Sequence, residues 1–183
     1  MYCKIWMLPL IGLLGMALVC ASIAAAEDFS NYVDQQGAIS MPDRFRTQWS
    51  HLGSWIVPSE DARQPGFHDV YIQPKALKAY RKKGSFPDGA AVIREVRSVE
   101  SSQLTTGPTS WGGEVKAWYV MIKDRKGRFS DHPSWGHGWG WALFKPGNPD
   151  RNVSSNYQTD CFGCHVPAKQ TDFVNVRGYP PMR

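Results

Sequence analysis

Glu114-Val115-Lys116-Ala117-Trp118-Tyr119-Val120-Met121-Ile122-Lys123 decides the fold class of this chain. It is rich in β-branched and aromatic residues and reads as a strand. Asp124 to Gly127 follows it as a turn, and Ala90 to Ser98 precedes it as a second strand. Further downstream, His137 to Phe144 is a strand that sets Trp139, Trp141 and Leu143 on one face and Gly138, Gly140 and Ala142 on the other. Upstream, His68 to Gln73 alternates. Val70 and Ile72 share a face with His68, while Asp69, Tyr71 and Gln73 take the opposite one. Ser54 to Val57 is a short strand candidate, and Asp172 to Val176 is expected to close the set.

Two helices fit between these strands. Ser40-Met41-Pro42-Asp43 reads as a helix start with Pro42 near the first position, followed by Phe45, Trp49 and Leu52 at helical spacing and a stop at Gly53. Pro74 opens a second helix through Ala76, Leu77 and Tyr80, stopped by Gly84. Pro87-Asp88-Gly89 is a turn signal. Strands that follow one another without regular intervening helices pair mostly antiparallel. Thirteen prolines and seventeen glycines argue against a long helical bundle. The expected class is therefore α+β, a mainly antiparallel β-sheet with two or more short helices.

The chain's first residues read differently. Lys4, an apolar run from Ile5 to Val19 and the Ala24-Ala25-Ala26 ending describe a secretory signal over residues 1–26, cleaved before Glu27-Asp28. An uncleaved membrane anchor is the competing reading, because no charge interrupts Ile5 to Ala26. Lipoprotein processing at Cys20 is disfavoured by the bulk of Val19. Cleavage implies export to the periplasm. Residues 27–39 are expected as a flexible lead-in, and residues 40–183 as one domain. The net charge is +5, and only Lys4 leaves with the signal. No Lys/Arg run is dense enough for nucleic acid; Arg81-Lys82-Lys83 reads as a solvated helix end.

Of four cysteines, Cys3 and Cys20 fall within the signal. The two that remain stand in Cys161-Phe162-Gly163-Cys164-His165, the C-x-x-C-H attachment motif of c-type haem. Its spacing follows from the chemistry. Two thiols add across the haem vinyls and tether one edge of the ring, and the adjacent His165 falls under the iron as its ligand. One covalent haem c per chain is the cofactor this implies. A zinc half-site would need further ligands, with His132 and His137 the sole histidines to hand nearby, and a thioredoxin-like pair would need a βαβ context. Only 18 residues follow His165, which is unlike a small electron-transfer cytochrome with its motif near the start and a methionine ligand far downstream.

Several stretches carry a resemblance in order along the chain. These are Asp69-Val70-Tyr71-Ile72, Phe86-Pro87-Asp88-Gly89 leading to Arg94-Glu95, and Trp139-Gly140-Trp141-Ala142-Leu143-Phe144. Asp160-Cys161-Phe162-Gly163-Cys164-His165, Thr171-Asp172-Phe173-Val174 and Gly178-Tyr179-Pro180 complete them. Together they resemble the cytochrome P-460 family, whose relatives include the beta-type cytochromes c-prime, over roughly residues 42–181. The resemblance implies a mainly antiparallel fold that forms a homodimer. It also implies a five-coordinate haem with His165 proximal, and nitric oxide or hydroxylamine as ligand or substrate, with a redox partner protein.

One position departs from the hydroxylamine-oxidising members. They cross-link a lysine to the haem ring from the strand after the Asp-Gly turn, where this chain carries Arg94. A guanidinium is a poor nucleophile, so the same cross-link is not expected. Arg94 lies on an apolar stripe with Val92 and Val96. It is read three ways: as a hydrogen-bond donor to an iron ligand, as a propionate partner, or as a side chain snorkelling to solvent. His68 is either a distal residue, even a sixth ligand, or a satisfied core histidine. Met121 is the other candidate sixth ligand. Phe67 and Phe86 are read as a distal cap or plain core, Trp135, Trp139 and Trp141 as core or dimer face, and Tyr179 as packing on the ring edge.

Overall fold

A long hairpin organises the molecule. In the computed structural model, which describes residues 29–58 and 61–183, strands β3 (Ala91–Leu104) and β4 (Gly107–Lys123) pair antiparallel along their whole length. Around them lie β1 (Ser50–Val57), β2 (Gly66–Ile72), β5 (Trp135–Gly136) and β6 (Trp139–Phe144). The order across the sheet is β1-β2-β3-β4-β6-β5, and every pairing is antiparallel. The expected α+β class is what the chain forms.

Three short α-helices join the sheet: α1 (Phe45–Gln48), α2 (Pro74–Lys83) and α3 (Tyr157–Asp160). Helix α2 follows its sequence signals. Pro74 opens it, Ala76, Leu77 and Tyr80 are buried, and Arg81, Lys82 and Lys83 place positive charge at its C-terminus. Gly84 takes the left-handed conformation (φ 66°) and donates its N–H to the Tyr80 carbonyl at 2.7 Å.

The sheet buries both faces. On one face His68, Val70, Ile72, Val92, Met121, Trp139 and Trp141 are covered by α2 and the C-terminal segment from Tyr157 onward. On the other, Ala91, Ile93, Val120, Ile122, Ala142 and Phe144 are covered by residues from the chain's described start through α1. Glu95, fully buried on this second face, accepts hydrogen bonds from Arg46 of α1 and from Trp118 Nε1 at 2.7 Å. Part of the stretch expected as a flexible lead-in lies here. Phe29, Tyr32 and Val33 pack on this cluster, Ile39 is buried in it, and Val33 bridges to Ile39. These apolar side chains, scattered without a period, gave no strand or helix signal.

Three expectations are corrected. The helix from Ser40 to Gly53 is a single turn, Phe45–Gln48; Trp49 leaves it with extended dihedrals and β1 begins at Ser50. Phe45 and Leu52 are buried as expected, but on opposite sheet faces. Pairing of β1 with β2 overrides a local helical period, and Gly53 sits at a register shift inside the strand rather than at a helix stop. Asp172 to Val176 forms no strand. Asp172 and Phe173 both have positive φ (56° and 64°), which a strand does not permit. The β3 and β4 strands also run well past Ser98 and before Glu114. Their outer arm is mostly exposed on both faces, so it lacks the apolar alternation that marks a strand. Residues 1–26, read as a secretory signal, lie outside the described residues.

Candidate haem site

The C-terminal segment is built as a series of tight turns laid on the sheet. Asp160 nucleates it. Its carboxylate accepts hydrogen bonds from Ser155 N (2.8 Å), Asn156 N (3.3 Å) and Ser154 Oγ (3.0 Å), which hold its pKa down to about 2. Asn156 caps α3 by accepting from Gln158 N at 2.8 Å. Tyr157 is buried and stacks on Trp141 with ring centroids 6.3 Å apart. Cys161 donates its N–H to the Tyr157 carbonyl at 3.0 Å, so the motif starts where the helix ends. A 3-10 turn over Phe162–Cys164 follows, and Phe162 stacks flat on His137 at 4.0 Å.

His165 is oriented by two contacts. Its ring meets Trp141 edge-on at 4.9 Å, and Nδ1 lies 2.8 Å from the Phe173 carbonyl oxygen. A carbonyl only accepts, so Nδ1 carries the proton and donates it. The tautomer is thereby fixed with a lone pair on Nε2, the nitrogen a metal would take. Burial lowers the imidazole pKa, which favours the neutral form needed for ligation.

Cys161, Cys164 and His165 line one cleft with Trp55, Val70, Val92, Arg94, Tyr119, Met121, Trp141 and Tyr179. Its empty space, counted out into the open solvent at its mouth, is about 720 Å³. Cys161 is buried and Cys164 exposed, both as free thiols. Burial pushes the Cys161 thiol up to about 11. Among the described residues no group of three or more His, Cys, Asp or Glu side chains stands together for a metal ion, which removes the zinc reading. The all-antiparallel sheet likewise removes the βαβ context of a thioredoxin-like pair.

Arg94 enters the cleft from the sheet wall. Its guanidinium lies 4.3 Å over the Tyr119 ring, the residue opposite it in the β3–β4 ladder. One terminal nitrogen donates to Gln64 Oε1, while Nε is buried with no partner among the described residues. Among the described residues it is the one lysine or arginine lining the cleft, and no carboxylate among them pairs with it. Burial lowers its pKa. The side chain turns into the cleft and is half-buried there, with its Nε sealed from solvent.

His68 shares this sheet face but does not line the cleft. It is 1% exposed, lies beside Trp55 at 5.3 Å and engages the Gln64 carbonyl through Nε2 at 3.0 Å. Burial, then the nearby Arg94 charge, lowers its pKa to about 4. It is thus neutral when folded and protonates in the unfolded chain near its ordinary 6.5. Stability is full above pH 6.5 and is lost as pH falls from 6.5 towards 4, by on the order of 3 kcal/mol. Urea unfolding of wild type and His68→Gln from pH 7 to 4 checks this: the variant should show a flatter profile over that window.

The remaining aromatic expectations sort cleanly. Phe86 is fully buried between Tyr80 and Trp139, and neither it nor Phe67 lines the cleft, so neither caps it. Trp135, Trp139 and Trp141 are core, and Trp141 is also cleft wall. Tyr179 lines the cleft beside Trp55. Gln64 carried no sequence signal, since it lies in a polar loop. Tyr119 was legible in principle as the cross-strand partner of Arg94.

The profile of the cytochrome P460 family matches residues 42–176, most of the described domain. The chain belongs to the cytochrome P460 family. No curated protein matches it significantly. Membership makes this a haem-binding cytochrome, and the cleft of this cytochrome P460 protein fits such a group. Two free thiols and a tautomer-fixed imidazole face a mainly apolar space, and a buried guanidinium nitrogen there has no partner among the described residues.

Proposed function

We propose that this cytochrome P460 protein carries one covalent haem c, bound through Cys161 and Cys164 with His165 as the iron ligand. It binds or transforms a small nitrogen-oxide ligand such as nitric oxide or hydroxylamine. The observation that carries this reading is the cleft itself: both thiols and the imidazole line it together with a guanidinium that no carboxylate among the described residues pairs. Bound there, haem would supply an iron able to bind a small ligand and to exchange electrons with a redox partner protein. Trp141 and the Phe173 carbonyl hold His165 in one orientation. Apolar side chains from β2, β3 and β4 exclude water. Arg94, steadied by Gln64 and Tyr119, offers hydrogen bonds and positive charge to a ligand oxygen. Arg94 in place of a cross-linking lysine favours ligand binding over hydroxylamine oxidation. Export to the periplasm by residues 1–26 and assembly as a homodimer complete the proposal.

A second reading, an electron-transfer cytochrome with both axial positions filled, rests on Met121, which lines the cleft. His68 is a poor sixth ligand, because it does not line the cleft. Absorption spectra of the reduced protein before and after nitric oxide separate the two. The proposal expects high-spin iron whose bands shift on ligand addition. Low-spin iron indifferent to ligand would overturn it and support Met121. Nitrite titration of the oxidised protein adds the Arg94 test. Arg94→Met should weaken binding about ten- to hundredfold, the loss of one charge-assisted hydrogen bond.

A further inference from the structure

The contacts around Asp172 point beyond the haem ligands themselves. We infer that Asp172 is a positioning residue for the His165 imidazole, acting through the Phe173 carbonyl and anchored to the sheet by Lys123 and Trp139. This rests on the reading of His165 as the iron ligand.

Asp172 and Phe173 are consecutive residues in the left-handed region, with φ of 56° and 64°. A bulky phenylalanine there is strained and persists only where its surroundings impose it. Here the neighbouring strands do so. Lys123 Nζ donates to Asp172 Oδ1 at 2.7 Å, and Trp139 Nε1 donates to the same oxygen at 3.3 Å. Lys123 ends β4, Trp139 begins β6, and the two are register partners. The Lys123 side chain is only 11% exposed and its ammonium lies 4.8 Å over the Trp139 ring. The carboxylate is therefore tied to a rigid, paired part of the sheet rather than to another loop.

From that anchor the turn closes on itself. Asp172 N–H donates to the Lys169 carbonyl at 3.2 Å, and Phe173 N–H to the Ala168 carbonyl at 2.9 Å. The Phe173 ring packs against Phe162 at 5.4 Å and His137 at 5.8 Å. With the peptide fixed on both sides, the Phe173 carbonyl faces His165 Nδ1 at 2.8 Å. Such a hydrogen bond sets ring orientation and raises the donor strength of the other nitrogen. Asp172 touches neither the cleft nor His165, so its influence passes entirely through the neighbouring peptide.

The test uses the full holoprotein and reads the iron–histidine stretching band of the reduced form, together with the reduction potential. Asp172→Ala should shift the band to lower frequency and raise the potential, because the imidazole becomes a weaker donor. Asp172→Asn keeps an acceptor oxygen and tolerates the left-handed conformation, and should stay near wild type. Lys123→Met, which leaves the turn's sequence intact, should move both readouts in the same direction as Asp172→Ala. It decides the question alone if Asp172→Ala fails to fold. A merely stabilising role would lower the unfolding midpoint and leave band and potential in place; that result in both variants would overturn the inference. A wild-type protein without haem would instead overturn the ligand reading, and this inference with it.

Discussion

Cys161→Ser combined with Cys164→Ser should leave a polypeptide that surrenders all its haem to acid-acetone, whereas wild type stays coloured. The expectation comes from the placing of the two thiols. Both line the cleft and both are free, three residues apart across one 3-10 turn. Serine preserves their size while removing the sulfur that forms a thioether. Secondary structure should survive, because Cys161 contributes its backbone N–H to α3 and Cys164 is exposed. Non-covalent haem bound through His165 would then be extractable, and circular dichroism would separate lost attachment from lost fold. Colour retained by the double variant would contradict the assignment.

Trp141→Ala should cost about 3–5 kcal/mol of stability, the usual range for emptying a large buried aromatic site. Trp141 is 1% exposed, donates to the Gly136 carbonyl at 3.2 Å and stacks on Tyr157. It also meets the His165 ring edge-on. One side chain thus joins the β5–β6 hairpin, α3 and the ligand-bearing turn. The loss should appear as a lower urea midpoint, and Trp141→Phe, which keeps an aromatic edge against His165, should lose less. A midpoint within error of wild type would show that the C-terminal segment does not depend on this wall.

The two halves of the molecule differed in how far their sequence could be read. The central strands were legible because each has one chemistry per face: Val70 and Ile72 against Tyr71, or Trp139 and Trp141 against Gly140 and Ala142. Helix α2 was legible because Pro74 and Gly84 mark both ends. The motif cysteines and His165 were legible from their C-x-x-C-H spacing, and the structure sets all three on one cleft. The first helix misled because Phe45, Trp49 and Leu52 keep a helical period while Leu52 belongs to a strand whose partner lies farther along the chain. The C-terminal turns were opaque for another reason. Phe173 adopts a left-handed conformation that its side chain gives no hint of, and the carboxylate that secures it reaches Lys123, 49 residues away. Arg94 was singled out by its apolar neighbours, but its holder, Gln64, comes from a loop whose polar sequence announces nothing.

The central claim is that a haem is bonded to Cys161 and Cys164, and the intact mass of protein purified from a host competent in cytochrome maturation tests it most directly. The expected result is a single species heavier than the polypeptide by one haem, with the added mass on the peptide that spans Cys161 to His165. A denatured polypeptide of unmodified mass from the same host would contradict it.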